Sequence, residues 1–297
     1  MYKLAAFSLL ATLAYSAEYG FSTYNFVHED SPIHVEARYR NIFGANFEKE
    51  RYGKLYYADG YASVNYTGFV DEDNALSACF QYDYLKVDWD KNPWFNQKNF
   101  NYATFSLGYI TTIVERWRWV LSAGFSVDSD SFNFHQTAVY HGIFWGRYQF
   151  QDYCGIHVGF TGWYGCLNGY ALAILGADWM FGSSVKMMVV FPFESSLKYI
   201  INDSWSFDAA YSGFGGPYRY PRRANHGFVS SHPIFEIYSN AADFNFNYHC
   251  KQTLRLSVGG GWNFGGWVWI ADENSHHGRY YQYNSAPYVQ GSFALTF

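Results

Sequence analysis

The chain is short of charge, of cysteine and of long apolar runs, and each shortage removes a class of protein. Asp, Glu, Lys and Arg make up 15% of its 297 residues, and the net charge of -5 comes with no basic stripe, which argues against a nucleic-acid partner. Four cysteines, Cys79, Cys154, Cys166 and Cys250, are too few and too scattered for a disulfide scaffold, and they lack the spacing of a metal site. After the first residues no apolar stretch approaches the roughly 20 residues of a membrane helix. The nearest candidate, 171 to 193, is broken by Asp178, Gly182, Ser183, Ser184 and Lys186. With a mean hydropathy of -0.23, the sequence does not read as a helical membrane protein.

Aromatic residues are abundant, with 29 Tyr, 28 Phe and 11 Trp beside 27 Gly, a composition that favours strands. The N-terminus reads Met1-Tyr2-Lys3, then an apolar run from Leu4 to Tyr15, then Ser16-Ala17 before Glu18. One positive charge, a short apolar core and a small-residue exit predict a secretory signal peptide over residues 1–16, with cleavage after Ala17 as the alternative. Residues 17–32 are expected to be a periplasmic lead-in, and 33–297 the folded domain.

Period-two alternation is the strand signal. From Leu254 the even positions are Leu254, Leu256, Val258, Gly260, Trp262 and Phe264, alternating with Arg255, Ser257, Gly259, Gly261 and Asn263. Trp117 to Asp128, Trp205 to Ser212 and Ala242 to His249 alternate likewise. The pattern predicts strands at 33–43, 55–70, 74–88, 99–113, 117–128, 135–150, 154–165, 168–181, 184–192, 196–201, 204–214, 234–248, 252–268 and 286–297. Tight turns alternate with long links at 44–54, 89–98, 215–233 and 269–285. An all-β, transmembrane, up-and-down antiparallel barrel has this form, with short turns on the periplasmic side and long loops outside. Fourteen strands are expected; without the weakly patterned 184–192 and 196–201 there would be twelve. Trp117, Trp119, Trp205 and Phe297 suit an inner aromatic girdle, and Trp262, Phe264, Trp267 and Trp269 an outer one.

In the last strand Val289, Gly291, Phe293, Leu295 and Phe297 share one face, and a terminal aromatic after alternating apolar residues resembles the signal read by outer-membrane assembly machinery. Val289, Phe293, Leu295 and Phe297 are the residues expected to carry that signal. Phe191-Pro192, the Trp205 strand after Asn202-Asp203, the Gly259-Gly260-Gly261-Trp262 strand and Ala286-Pro287 together resemble an uncharacterised family of Gram-negative outer-membrane β-barrel proteins. The resemblance covers roughly the C-terminal 40% of the chain. It implies fold and outer-membrane location, and supplies no catalytic residues.

Charges within the strands fall opposite the apolar face: Glu36, Arg38, Arg40, Asp59, Asp83, Arg118, Arg147, Asp178, Lys186, Asp208, Asp243 and Arg255. An Arg or Lys facing lipid at mid-membrane costs about 2–4 kcal/mol, so these are expected to line the lumen. Six acids balance six bases, which predicts weak ion selectivity. His141, His157, Ser275-His276-His277 and His226 with Ser230-Ser231 have no catalytic spacing, and His226, His232, His276 and His277 no metal-site spacing, so no enzyme, cofactor or metal is expected. The expected function is a porin-like passive channel for small hydrophilic solutes, with outer-membrane lipids and assembly machinery as partners. The alternatives are a surface-interaction protein using the 215–233 loop with Arg219, Arg222 and Arg223, and, last, a membrane-embedded lipid hydrolase.

Overall fold

The computed structural model describes residues 32–297 except 96, 131, 133, 166–168, 220–233, 252 and 272–277. The signal peptide, nearly all of the lead-in, Cys166, Arg222, Arg223 and the loop residues His226, Ser230, Ser231, His232, Ser275, His276 and His277 lie outside the described residues.

The alternating segments become β1 (Ile33–Asn46), β2 (Lys54–Phe69), β3 (Asn74–Trp89), β4 (Asn99–Thr111), β5 (Trp117–Asp128), β6 (Val139–Gln151), β7 (Cys154–Tyr164) and β8 (Tyr170–Phe181). They continue as β9 (Val185–Phe191), β10 (Glu194–Asn202), β11 (Trp205–Arg219), β12 (Ile234–Cys250), β13 (Leu254–Ala271), β14 (Arg279–Tyr283) and β15 (Ala286–Thr296). Each pairs antiparallel with its chain neighbours, while β14 and β15 both lie against β13 and so share one place in the wall. β15 then pairs with β1, from His34 opposite Thr296 to Ile42 opposite Tyr288, and Ile33 and Phe297 exchange backbone hydrogen bonds at 3.3 and 2.9 Å. The result is a closed fourteen-position barrel. The twelve-strand alternative is excluded because β9 and β10 form and pair.

Closure satisfies every edge, which is what lets a sheet stand in hydrocarbon. The outer face is apolar: Tyr39, Val64, Leu76, Phe80, Leu107, Leu121, Phe160, Leu175 and Val258 are all exposed. Near the short turns Trp117 stacks on Trp119 at 4.7 Å, and Trp205 on Phe246 at 4.8 Å, placing large amphipathic rings at one rim.

The outer ends differ from the alternation-based expectation. β1, β11 and β13 run on to Asn46, Arg219 and Ala271, and β14 occupies 279–283, all stretches expected to be loop. β6 in turn begins at Val139, after a helical turn at Phe134–Thr137, and β8 at Tyr170. Strand pattern was hidden because both faces are covered: Gly213 to Tyr218 are six consecutive buried residues in β11.

These extensions bend along one line. Gly215 in β11 (φ +116) sits opposite Tyr238, the β12–β13 register slips between Ser239 and Ala241, Gly265 in β13 has φ +93, and β14 gives way to β15 at Asn284-Ser285. Both φ values lie where L side chains are rarely found, and a Cβ on Gly215 would strike the Ile237 carbonyl. Beyond this line the inward parity of β13 switches from odd (Asn263) to even (Val268, Ile270), so Trp267 and Trp269 belong to the bent arm and not to the rim girdle formed by exposed Trp262 and Phe264.

Candidate functional site

Fourteen strands about 4.8 Å apart, tilted about 40°, would close a round wall roughly 28 Å across. Yet Tyr218 in β11 lies 5.8 Å from Phe100 and 5.7 Å from Tyr102 in β4, half the barrel away. Phe235 in β12 lies 4.7 Å from Phe100 and 5.1 Å from Phe95, and Phe214 lies 5.7 Å from Tyr57 in β2. Opposite walls therefore touch through aromatic rings. The arm made of the outer ends of β11 to β14 leans into the mouth and packs against β1–β4 and the β3–β4 loop, where Trp94 donates to the Tyr281 hydroxyl at 2.6 Å. One apolar cluster containing Ile42, Leu55, Val87, Phe100, Phe214, Phe235, Ile237, Val268 and Ile270 fills this outer end.

Below the cluster the inner face is polar. Arg40, 1% exposed, grips Asp59 through Nε–Oδ1 at 2.8 Å and Nη2–Oδ2 at 2.9 Å. Its guanidinium stacks 3.9 Å from the Phe214 ring and 5.8 Å from Tyr288, so the ion pair on β1–β2 holds the root of the arm from across the lumen. Beside it Arg38 approaches Asp59 at 3.8 Å and Tyr61 donates to Glu36 at 2.8 Å.

A second network sits on β6–β8. Arg147 grips Asp178 at 2.8 and 2.9 Å and also donates to Gln149. Trp145 Nε1, which can only donate, meets His157 Nδ1 at 3.1 Å, so the ring proton sits on Nε2 and is donated to Asp178 at 2.8 Å. Both His157 nitrogens are thereby engaged, and neither serves as a base toward a nucleophile. An apolar layer of Ile143, Trp145, Ile174, Met188 and Val190 lies outward of this network, with Phe193 stacked 5.0 Å from Trp145.

Strand pairing carries the inner face round the barrel. Arg118 lies opposite Arg147; Lys186 opposite Met180 and Lys198; Lys198 opposite Asp208; and Asp208 opposite Asn245. Arg255 lies opposite Ala294, which is opposite Glu36, while Asp243 is buried and opposite Gly261. Asp83 lies opposite Tyr61 and accepts from Gln81 at 2.6 Å and Thr104 at 3.3 Å. The structure groups Glu36, Arg38, Arg40, Asp59 and Asp83 on one wall and Arg147 with Asp178 on the facing one; Arg118, Lys186, Asp208, Asp243 and Arg255 stand between them in the circuit.

Lys198 belongs to the same face and adds a seventh base. It was readable from Leu197, Tyr199 and Ile201 alternating around it, but lay in the most weakly patterned strand. Val289, Phe293 and Phe297 are exposed on the outer face, with Leu295 half-buried. Among the described residues Cys79, Cys154 and Cys250 are free thiols, and no cluster of metal ligands is present.

No protein-family model matches the chain, and no curated protein matches it in sequence. Solved structures match in outline. A TodX monoaromatic hydrocarbon channel mutant superposes with a TM-score of 0.49 at 10% identity over 91% of each chain. An outer-membrane channel of Pseudomonas putida F1 gives 0.48 at 8% identity over 93% of this chain and all of that one, and a Pseudomonas aeruginosa FadL homologue gives 0.47 at 10% over 90% of each. The structures resembled are thus outer-membrane β-barrels.

Proposed function

We propose that the chain is an integral outer-membrane channel, a passive route for small solutes that the arm holds closed at the outer mouth. The observation that carries this reading is the pairing of a charged inner face with a mouth filled, across a bend line, by aromatic side chains from opposite walls. Phe214, Tyr218 and Phe235 meet the opposite wall through their rings, and at the edge of the arm Glu48 N–H donates to the Gln282 carbonyl at 3.0 Å, so opening parts these rings and that bond while the wall below keeps its ladder. The apolar outer face supports insertion in a bilayer, and the alternation of short turns with longer outer connections supports the outer membrane.

Acidic and basic groups of the inner face are largely offset, as Arg40 with Asp59 and Arg147 with Asp178. Weak selectivity between cations and anions follows, because a pore discriminates through rings or patches of one sign. Purified protein in planar bilayers is expected to show small, infrequent openings. Replacing Phe214 and Tyr218 by Ala is expected to raise conductance, and Arg118→Gln with Arg255→Gln to shift the reversal potential toward cation preference. A wild type and an arm variant that are both electrically silent would overturn the channel reading. An unmoved reversal potential would show that these two arginines do not line the conducting path.

A further inference from the structure

Apolar groups overlie the charged layer of the inner face in two separate places. On one side the arm packs against β1–β4, with Phe214 5.7 Å from Tyr57 and Tyr218 5.8 Å from Phe100. On the facing side Ile143, Trp145, Ile174, Met188 and Val190 form a smaller cluster on β6–β9. Among the described residues the two clusters share no member, so the group that closes one half of the lumen does not close the other.

Strand length carries a movable group into the second cluster. β9 and β10 have seven and nine residues, against twelve in β8 and fifteen in β11. At about 3.3 Å per residue their hairpin ends part-way up the wall, and its tip, Pro192-Phe193, stands beside the lumen instead of above the rim. Phe193 N–H donates to the Val190 carbonyl at 2.8 Å, a tight reversal that leaves the side chain turned inward. Its ring lies nearly flat on Trp145, with centroids 5.0 Å apart and planes 23° from parallel. Trp145 is buried and anchored, its Nε1 donating to His157 at 3.1 Å. Phe193 is only half-buried. One ring of the stack is therefore fixed in the wall, and the other rides on a turn at the surface of the lumen.

An apolar constriction stops ions by dewetting, without having to fill the passage. Phe193 and the five residues beneath it have that composition, and they lie directly outward of Arg147 and Asp178. The one N–H among their side chains, Trp145 Nε1, is committed to His157, so an ion leaving the charged layer on this side would shed hydration against groups that offer nothing in return. We infer that Phe193, stacked on Trp145, is a second stop: an apolar constriction that closes the β6–β9 side to hydrated ions and small polar solutes without help from the arm. The inference rests on the channel reading above and concerns how that same passage is regulated. Opening it takes a rotation of the Phe193 side chain off Trp145, which leaves the β8–β9 and β9–β10 ladders in place.

Single-channel recording in planar bilayers, with potassium chloride as the probe, tests this on the full-length protein. Phe193→Asn and Phe193→Leu are compared with the arm intact and again beside Phe214→Ala and Tyr218→Ala. Asn and Leu branch alike and differ in polarity, so a dewetted stop opens with the first and stays shut with the second. Phe193→Asn is expected to raise the mean current about threefold or more with the arm intact, Phe193→Leu to change it less than about twofold, and the Asn effect to add to that of the arm variant. Heat-modifiable gel mobility identifies variants that remain folded. In a background with all four cysteines replaced by Ser, a cationic methanethiosulfonate should alter the current through Phe193→Cys and leave the cysteine-free parent unaffected, a response that a purely structural ring would not give. Equal currents for Phe193→Asn and Phe193→Leu, or no response of Phe193→Cys to the reagent, in an arm variant that conducts would overturn the second stop and keep the channel. Silence of every variant, the arm variant included, would overturn the channel reading itself.

Discussion

Among the described residues the barrel holds two two-pronged ion pairs of nearly the same geometry in different mechanical positions, one buried and one half-buried. Arg40–Asp59 and Arg147–Asp178 are both two-pronged contacts at 2.8 and 2.9 Å. The first is covered by Phe214 and Tyr288 and so touches the arm; the second meets His157 and Gln149, residues of its own wall. The same chemistry is therefore a latch on one side and a brace on the other. An ion pair's role depends on what its far face touches.

Breaking the latch should have the largest effect. Arg40→Ala leaves Asp59 buried with only the 3.8 Å approach of Arg38, a loss of about 3–5 kcal/mol on the scale of unpaired buried charges. Urea unfolding of the reconstituted variant should show it, accompanied by increased conductance as the support under Phe214 disappears. Normal stability together with wild-type conductance would refute the latch.

Removing the arm's rings comes next. Phe214→Ala or Phe235→Ala takes a fully buried ring from the outer cluster, about 3–5 kcal/mol in a rigid core and less where the arm can close the gap. Openings should lengthen while ion selectivity stays unchanged, because the charged layer below is intact. A variant whose openings match wild type would show that the cluster does not gate.

Asp178→Asn tests the brace. Both partners of that pair keep some solvent contact, with side chains 24% and 12% exposed, so a smaller loss, about 1–3 kcal/mol, is expected. Conductance should not change. A conductance change as large as that of Arg40→Ala would erase the distinction between the two pairs.

The smallest effect is on labelling. Cys250 is exposed beside a short turn and Cys79 is buried on the inner face. In a Cys166→Ser background a membrane-impermeant maleimide should modify Cys250 from the periplasmic side and spare Cys79, with stability unaltered. Labelling of Cys250 in intact cells would invert the orientation of the barrel.

Much of this was legible in sequence, for a definite reason. Wherever one face meets lipid and the other the lumen, side chains alternate, so β2, β3, β5 and β13 up to Phe264 could be read within a residue or two of their observed limits, and the charged face with them. Legibility failed where that condition fails. Gly213 to Tyr218, Ile270 and Ala271 are buried, and the parity of β13 switches at Gly265, so the outer ends of β11 and β13 read as loop, while β12 was read from Ile234. Partner choice was also hidden: no spacing rule says that Arg40 reaches Phe214 at 3.9 Å across the barrel or that His157 accepts a hydrogen bond from Trp145.

The bend line also makes the arm a lever. Five residues of β13, Trp267 to Ala271, lie beyond Gly266, a reach of about 17 Å at roughly 3.3 Å per residue. A rotation of about 10° at the glycines would sweep the tip through about 3 Å, the width of one water molecule, and about 20° would double that. Because the four strands bend together, this tilt leaves the ladder below the line intact, and at the arm's edge it parts the bond from Glu48 N–H to the Gln282 carbonyl. On the channel reading proposed above, small torsions at Gly215 and Gly265 would be geared into a change of aperture on the scale of a hydrated solute, with the wall below the line unmoved.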